Sequence, residues 1–309
     1  FLCYSYLSLA SVSALAEEID YLLTAASQGD YETVNAMLVS GVNPNTKDQD
    51  GITALMYAAR KNEDSVVELL LEKGADVNTV DNGGWTALMF AARRNHIDTI
   101  KTLLKYNANP KIRDESGWSA FGMAATAGHS EAVKLMLAKG VDANTKSDDG
   151  KTALMYAANE GDLDTVKVLL AHQADTNARD RRGVTALMYA ARKGNVEVTD
   201  YLIKQAGVNP DVEDKLEWTA LTWAIKRDQL DTAKVLIENG ANINHKDSED
   251  TPLIQLAVDN ESEELVALLI SKKVNLKSRD QYGLTAYVYA LKKGNAKIVK
   301  LIKDAGGRY

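Results

Sequence analysis

The chain has 309 residues, of which 45% are hydrophobic and 26% charged, and its formal net charge is −7. This length and apolar content suffice for one large domain or two ordinary ones, and the negative balance argues against non-specific binding to nucleic acid or to an anionic membrane. The single cysteine, Cys3, has no second cysteine with which to form an internal disulfide.

The first 16 residues, FLCYSYLSLASVSALA, carry no charge and are mostly apolar. They end in the triplet ALA directly before two glutamates, which is typical of the end of a secretory signal peptide. We therefore expect residues 1–16 to be a truncated signal peptide and the mature protein to be periplasmic or secreted. The alternative is an apolar helix that covers the first structural unit of a cytoplasmic protein.

One string returns along the rest of the chain. TALMYAARK occupies residues 53–61 and recurs nearly unchanged at 86–94, 152–160 and 185–193. Its first residue, or an equivalent one, is repeated at intervals of 32 to 34 residues: Thr53, Thr86, Ser119, Thr152, Thr185, Thr219, Thr251 and Thr285. A period of this length predicts an array of stacked repeats with no second domain.

A single repeat can be interpreted within residues 48–81. Its opening turn contains Gly51, which supplies the positive φ that a tight tip requires. Thr53 is expected to cap a short helix through Lys61, and the apolar stripe over about 64–73 predicts a second helix. The two helices are separated by residue types that tolerate left-handed geometry: Gly29, Asn62, Asn95, Gly128, Gly161, Gly194, Asp228, Asn260 and Gly294.

The succession D-x-x-G, T-A-L-M-x-A-A and L-L-x-x-G-A-D-V-N resembles the ankyrin repeat family over residues 20–307. The resemblance implies an all-α ankyrin-repeat solenoid of stacked helix-turn-helix units with short β-hairpin-like loops, forming a single domain over 17–309. The first unit lacks the hairpin motif and resembles an N-terminal cap. We divide the domain into nine units: 20–48, 49–81, 82–114, 115–147, 148–180, 181–214, 215–247, 248–280 and 281–307.

The chain departs from the family's T-P-L-H-x-A motif at two positions. Pro252 alone keeps the proline, and four units carry methionine in place of the histidine: Met56, Met89, Met155 and Met188. Since methionine has no polar hydrogen to donate, we expect neighbouring repeats to be joined by apolar packing. The A-L-M form is more similar to bacterial than to animal ankyrin proteins, which favours a periplasmic location.

No catalytic motif is recognisable. The chain has no H-E-x-x-H, G-x-S-x-G, phosphate-loop or dinucleotide-binding pattern. His96 and His129 share one repeat position where family members commonly have Gly-His, and His172 and His245 are isolated. We expect a protein that is not an enzyme and that needs neither cofactor nor metal.

In the ankyrin family the hairpin tips and first helices line the concave face on which partners usually dock. Each first helix here ends in a residue pair at one fixed offset. Five pairs are dibasic, Arg60-Lys61, Arg93-Arg94, Arg192-Lys193, Lys226-Arg227 and Lys292-Lys293, and three are not, Thr126-Ala127, Asn159-Glu160 and Val258-Asp259. A basic binding stripe and simple compensation of the helix dipole, worth about 0.3–1 kcal/mol per cation, remain alternatives.

The hairpin tips add apolar and basic candidates for partner binding: Ile52, Trp85, Trp118, Arg181, Arg182, Val184, Trp218 and Tyr282. Exposed aromatic residues beside arginine are typical of binding hot spots, whereas packing between hairpins is the alternative. A second series, here called the ladder, follows the methionine position and is expected mainly to stack between repeats: Tyr57, Phe90, Met123, Tyr156, Tyr189, Trp223 and Tyr289.

The sequence thus predicts a monomeric, exported protein-interaction scaffold that grips an acidic or extended protein partner on its concave, basic-aromatic face. It binds no nucleic acid and does not insert into a membrane after signal cleavage. Two alternatives are a cell-envelope stress-response accessory protein that binds a small ligand or metal, and a secreted effector that engages a host protein.

Overall fold

The computed structural model describes residues 17–309. Residues 1–16, which include Cys3 and the expected signal peptide, lie outside the described residues, so that expectation stays a prediction. The chain divides into two compact units, Phe1–Asp142 and Ala143–Tyr309. We call them the N-terminal unit, described from residue 17 onward, and the C-terminal unit.

Both units are built from successive helix pairs, and β pairing within 17–309 is limited to isolated bridges. The N-terminal unit contains 17–28 (α1), Tyr31–Val39 (α2), Ala54–Lys61 (α3), Asp64–Glu72 (α4), Ala87–Arg93 (α5), Ile97–Lys105 (α6), Ala120–Thr126 (α7) and Ser130–Ala138 (α8). The C-terminal unit contains Ala153–Glu160 (α9), Leu163–Ala171 (α10), Ala186–Lys193 (α11), Val196–Lys204 (α12), Ala220–Lys226 (α13), Leu230–Glu238 (α14), Leu253–Asp259 (α15), Glu263–Ser271 (α16), Ala286–Lys293 (α17) and Ala296–Asp304 (α18).

Each unit has two layers of helices. In the N-terminal unit the first helices α3, α5 and α7 pack in chain order, and the second helices α2, α4, α6 and α8 pack beside them. In the C-terminal unit the first helices run from α9 to α17 and the second helices from α10 to α18 in the same way. Ala58 and Ala59 of α3 are fully buried, as are Val66 and Leu70 of α4. Small residues on one helix let the apolar stripe of the other approach closely, which forms a continuous core within each unit.

Hydroxyl caps start the first helices from α3 onward, as predicted, with the exception of α15. The Thr53 side chain accepts a hydrogen bond from the Met56 N–H at 3.3 Å, and the same bond occurs at Thr86 and Thr185. The four motif methionines are at most 1% exposed. The Met89 sulfur also accepts from the Thr86 N–H at 3.4 Å, so methionine supplies both apolar packing and a weak acceptor at the helix start.

The predicted register is wrong by one residue in the eighth repeat. Pro252 forms the isolated bridge with Lys246 that Thr53 forms with Lys47, so Pro252, rather than Thr251, occupies the cap position. Its φ of −68° and ψ of 146° match the extended geometry of a cap, which the fixed proline φ already favours. Caps 219, 252 and 285 then follow at equal intervals of 33 residues.

Two further predictions change with this register. The separating residue in left-handed geometry is Glu261, with φ 56°, instead of Asn260, whose φ is −73°. The residue pair at the end of this first helix is Asp259-Asn260 instead of Val258-Asp259. Asp259 therefore stands where other repeats have the first cation of the pair.

Candidate protein-interaction surfaces

One aspartate organises each hairpin tip except one, where Ser147 takes its position. Asp180, which is 7% exposed, accepts hydrogen bonds at Oδ1 from the backbone N–H groups of Arg182 and Val184 at 2.8 and 2.9 Å. Its Oδ2 accepts from the Tyr189 hydroxyl at 2.7 Å. We call this bond, from a ladder residue to the tip aspartate nine positions earlier, the clasp. It ties the hairpin tip to the first helix of its own repeat.

Clasps recur at two further tip aspartates. The Tyr57 hydroxyl donates to Asp48 at 3.0 Å, and the Trp223 indole N–H donates to Asp214 at 2.9 Å. The sequence predicts that ladder residues mainly stack between repeats, and the clasp adds a role inside each repeat. The constant nine-residue spacing between an aspartate and an aromatic donor is the sequence signal that could have revealed it.

Other repeats lack the clasp because the ladder residue cannot donate or donates elsewhere. Phe90 and Met123 have no polar hydrogen, and Leu256 occupies the ladder position of the eighth repeat. The Tyr289 hydroxyl donates to Asp259 at 3.0 Å instead of to its own tip aspartate. Cavities open beside two of these positions, one of about 570 Å³ next to Met123 and one of about 400 Å³ next to Leu256.

The first arginine of three dibasic pairs lies over an aromatic ring. The Arg60 guanidinium carbon is 5.0 Å from the Tyr57 ring centroid, and that of Arg93 is 5.3 Å from the Trp85 ring. Arg192 lies 5.0 Å from the ladder ring of its own repeat and 5.5 Å from that of the next, and burial lowers its pKa. Such stacking is worth about 0.5–1 kcal/mol at exposed sites and holds the guanidinium in one orientation.

One cation of each dibasic pair faces solvent without an acidic partner. Among residues 17–309, no carboxylate lies within ion-pair distance of these side chains. They are Lys61, Arg94, Lys193 and Arg227, each the second residue of its pair, and Lys292, the first residue of its pair, and all five are exposed. Their charges are therefore available to a partner.

The dibasic series is interrupted in the C-terminal unit by Asp259. Its carboxylate lies 2.7 Å from the Lys293 ammonium and 3.5 Å from that of Lys226. The hydrogen bond from Lys293, helped by that from Tyr289, lowers the pKa of Asp259 below the ordinary 3.8. The charges of Lys226 and Lys293, both predicted to contact a partner, are thus offset within the molecule.

The hairpin-tip candidates differ in exposure. Tyr282 is 76% exposed, and four others are half-buried: Ile52, Trp85, Trp118 and Trp218. Val184 is only 1% exposed; it has no surface to offer a partner, so we remove it from the candidate surface.

Two tips are packed onto their own ladder residues. The Trp85 ring centroid is 5.0 Å from that of Phe90, and Trp218 meets Trp223 edge-on at 4.7 Å. Of the two exposed tip arginines, Arg181 and Arg182, the second donates to the Tyr189 hydroxyl at 3.0 Å. The tips therefore combine packing within the repeat with a partly accessible aromatic edge.

The paired histidines serve helix ends. A ring nitrogen of His96 is 3.0 Å from the Ala59 carbonyl oxygen, and one of His129 is 3.3 Å from the Arg93 carbonyl oxygen. Both contacts link a second helix to a carbonyl near the end of the preceding repeat's first helix, which has no partner inside that helix. This agrees with a structural role for the shared position.

In the part of the chain that the structure describes, no three His, Cys, Asp or Glu side chains come together in a metal-binding cluster. None of the helices over 17–309 combines the length and the apolar run that crossing a bilayer requires.

The comparisons with known proteins agree with the fold. The family model described as ankyrin repeats (3 copies) matches residues 22–114, 106–180, 174–247 and 246–308. The chain therefore belongs to the ankyrin repeat family, whose members are generally protein–protein interaction modules, and the predicted all-α ankyrin-repeat fold is confirmed.

Two curated relatives share part of the chain. An ankyrin repeat protein of fowlpox virus (strain NVSL) is 29% identical over 91 residues, which are 29% of this chain and 21% of that protein. Rabankyrin-5 of Mus musculus is 29% identical over 106 residues, 32% of this chain and 9% of that protein. The matches thus span a small share of both relatives, and what they indicate about this chain is the repeat itself.

Proposed function

We propose that the protein is a non-catalytic scaffold that binds an acidic or extended protein partner on the surface formed by its first helices and hairpin tips. The observation that carries the proposal is the pairing of a ring-stacked arginine with an exposed second cation at the same helix end. Arg60 with Lys61 and Arg93 with Arg94 show this arrangement in the N-terminal unit.

Compensation of the helix dipole does not account for this arrangement by itself. A cation that only offsets the dipole needs neither a ring beneath it nor a second cation beside it. A stacked guanidinium, in contrast, has already lost part of its conformational freedom, so it costs less entropy when it pairs with a carboxylate of a partner. Arginine beside tryptophan and tyrosine is also the composition enriched in interface hot spots.

The test uses charge reversal with a matched control. We expect the double substitution Lys61→Glu and Arg94→Glu in the full chain to reduce capture of a partner from native extract at least about tenfold, with most of the salt dependence lost. Capture is quantified by mass spectrometry at low and high salt.

The control is Lys73→Glu with Lys139→Glu. These two lysines are exposed and lie at the ends of second helices α4 and α8, so the control makes the same change in net charge and a similar change at helix ends. Equal loss of capture by both double variants would show that net charge, not the first-helix surface, attracts the partner. Unchanged capture by Lys61→Glu with Arg94→Glu would refute the proposal.

We also propose that the protein is exported. The support is the uncharged, apolar character of residues 1–16 and their ALA ending. Fractionation of the native host with N-terminal sequencing is expected to find a chain beginning at Glu17 in an envelope or secreted fraction. A cytoplasmic chain that retains residues 1–16 would contradict export.

A further inference from the structure

We propose that the C-terminal unit carries a second binding site, a cavity beside Leu256 that takes a lysine or arginine side chain of a protein partner. The site goes beyond the proposed function because it recognises a cation, whereas the dibasic surface recognises an acidic partner.

The cavity lies among the hairpin tips and first helices of three successive repeats. Its volume is about 400 Å³, within the range of about 300–1,000 Å³ that is typical of ligand pockets. Trp218, Leu256 and Tyr289 form apolar parts of its lining, and the tips contribute Asp247, Glu249 and Asp280 among others.

Asp247 is a buried residue, and one of its two carboxylate oxygens accepts no hydrogen bond from a described residue. It is 8% exposed, and its Oδ1 accepts from the backbone N–H groups of Glu249 and Thr251 at 3.0 and 2.9 Å. In the equivalent residues Asp180 and Asp214, Oδ2 accepts the clasp hydrogen bond. The ladder residue that follows Asp247 is Leu256, which cannot donate one and which lines the cavity. No described residue donates to Asp247 Oδ2. Oδ2 is not among the fully buried side-chain atoms of the described residues that lack a partner. It is therefore accessible, and a cation in the cavity could donate a charge-assisted hydrogen bond to it.

Asp280 is a second tip aspartate in the lining of the cavity, and it is half-buried. Its Oδ1 accepts from the Tyr282 and Leu284 N–H groups, both at 2.9 Å. Its ladder residue, Tyr289, donates to Asp259 instead, so the clasp is missing here too.

The lining as a whole is negative. Glu249 adds a third carboxylate to those of the two tip aspartates, and Lys226, the one cation among the described lining residues, is already paired with Asp259 at 3.5 Å. The charge complement of this cavity is therefore a cation.

The rim suits a long amphipathic side chain better than a compact inorganic ion. Leu216, Glu249 and Tyr282 occupy the same tip position in three successive repeats, each just before the tip residue with positive φ. Leu216 is 52% and Tyr282 is 76% exposed, so an acidic residue stands between two accessible apolar ones. Such a row can hold the aliphatic stem of lysine or arginine while the head group reaches the carboxylates and the Trp218 ring.

The probe is an acetylated, amidated glycine–serine peptide with one central arginine, titrated into the full chain. Binding is followed by NMR through the indole N–H signals of the four tryptophans, assigned with single Trp→Phe variants. We expect saturable shifts at Trp218 and none at Trp85 or Trp118. A peptide with neutral citrulline in place of arginine should bind at least about tenfold more weakly, because it cannot neutralise the carboxylates.

Two variants and a control decide the site. Leu256→Tyr should restore the clasp to Asp247, fill the cavity and abolish the arginine-dependent shift without lowering the thermal midpoint. Met123→Tyr makes the corresponding change at the ladder position of the N-terminal unit and should leave the shift intact. If Leu256→Tyr does not fold, Asp247→Asn keeps an Oδ1 acceptor for the tip and should weaken binding about tenfold.

Equal binding of the arginine and citrulline peptides, wild-type binding by both Leu256→Tyr and Asp247→Asn, or shifts at Trp85 in place of Trp218 would overturn the proposal. Lys61→Glu with Arg94→Glu should bind the peptide like wild type. The outcome is therefore independent of whether the dibasic surface proves functional.

Discussion

The N-terminal and C-terminal units are built from the same type of repeat. The basic residues of their first helices, however, have different interaction partners. In the N-terminal unit, Lys61 and Arg94 are exposed, and no carboxylate among the described residues lies within ion-pair distance. In the C-terminal unit, Asp259 takes the position of the first cation and binds both Lys226 and Lys293. The five dibasic pairs of the sequence are therefore not equivalent as binding elements. Asp259 offsets the charge of one cation in each of two pairs, Lys226-Arg227 and Lys292-Lys293.

Within each unit the hairpin tips are held in different ways. The C-terminal unit has clasps from Tyr189 and Trp223 onto buried aspartates, but Leu256 cannot donate and Tyr289 donates to Asp259 instead. The N-terminal unit has one clasp, from Tyr57, and then the ladder residues Phe90 and Met123, which cannot donate. A ladder residue that donates the clasp thus stabilises the hairpin tip of its own repeat, whereas one that cannot donate can leave a cavity beside the tip.

The largest effect is expected for Asp214→Ala. Asp214 is 7% exposed and accepts from the Leu216 and Trp218 N–H groups and from the Trp223 indole. Its removal leaves three donors without an acceptor and should lower the free energy of unfolding by about 2–4 kcal/mol. Asp247→Ala, which loses no clasp, should cost about 1 kcal/mol less. Urea unfolding followed by circular dichroism measures both; equal losses would mean that the clasp contributes nothing.

A smaller effect is expected when Asp259→Asn removes the ion pairs with Lys226 and Lys293. These groups are about one-third exposed, so solvent screening limits the loss at neutral pH to about 1 kcal/mol. The pKa of Asp259 is lowered in the folded state, so its contribution is present above the ordinary pKa of 3.8 and is lost as pH falls through the folded value below it.

The difference in thermal midpoint between wild type and Asp259→Asn should therefore be constant near neutrality, decrease as the pH falls below 3.8, and vanish below the lowered pKa of the folded state. A difference that persists unchanged in acid would assign the effect of Asp259 to packing rather than to its charge.

The smallest effect is expected for Phe90→Tyr in the N-terminal unit. The new hydroxyl would reach the tip aspartate Asp81 as the Tyr57 hydroxyl reaches Asp48, and should raise the free energy of unfolding by about 0.5 kcal/mol. The matched reverse change, Tyr57→Phe, should lower it by a similar amount. If both substitutions change stability in the same direction, the N-terminal ladder acts by ring packing and not by the clasp.

Much of the fold follows from local pattern. The 33-residue period, the hydroxyl caps and the buried methionines are predictable because each repeat uses the same short-range chemistry at the same spacing. The register of the eighth repeat is wrong because Thr251-Pro252 aligns with the family's T-P dipeptide. In the structure the proline itself takes the cap position, since its φ fits the extended cap and its missing N–H costs nothing there.

The candidate surface is predicted less completely than the fold. Position within the repeat identifies Arg60, Arg93 and Arg192 as members of basic pairs, but not the rings beneath them. Position within the repeat also predicts that Val184 lies on the surface, whereas the structure shows that it is buried.

The sequence by itself determined that this protein is a stack of ankyrin repeats, where most helices begin and end, and which positions carry charge. These properties depend on neighbours a few residues away or on a strict period. Only the tertiary structure decided which charges stay available, which tip aspartates receive a clasp, and where a cavity opens beside Leu256. Those properties depend on contacts between residues that are 9 to 33 positions apart in the sequence. A single substitution at one repeat position can therefore change the partner of a side chain in the same or the next repeat.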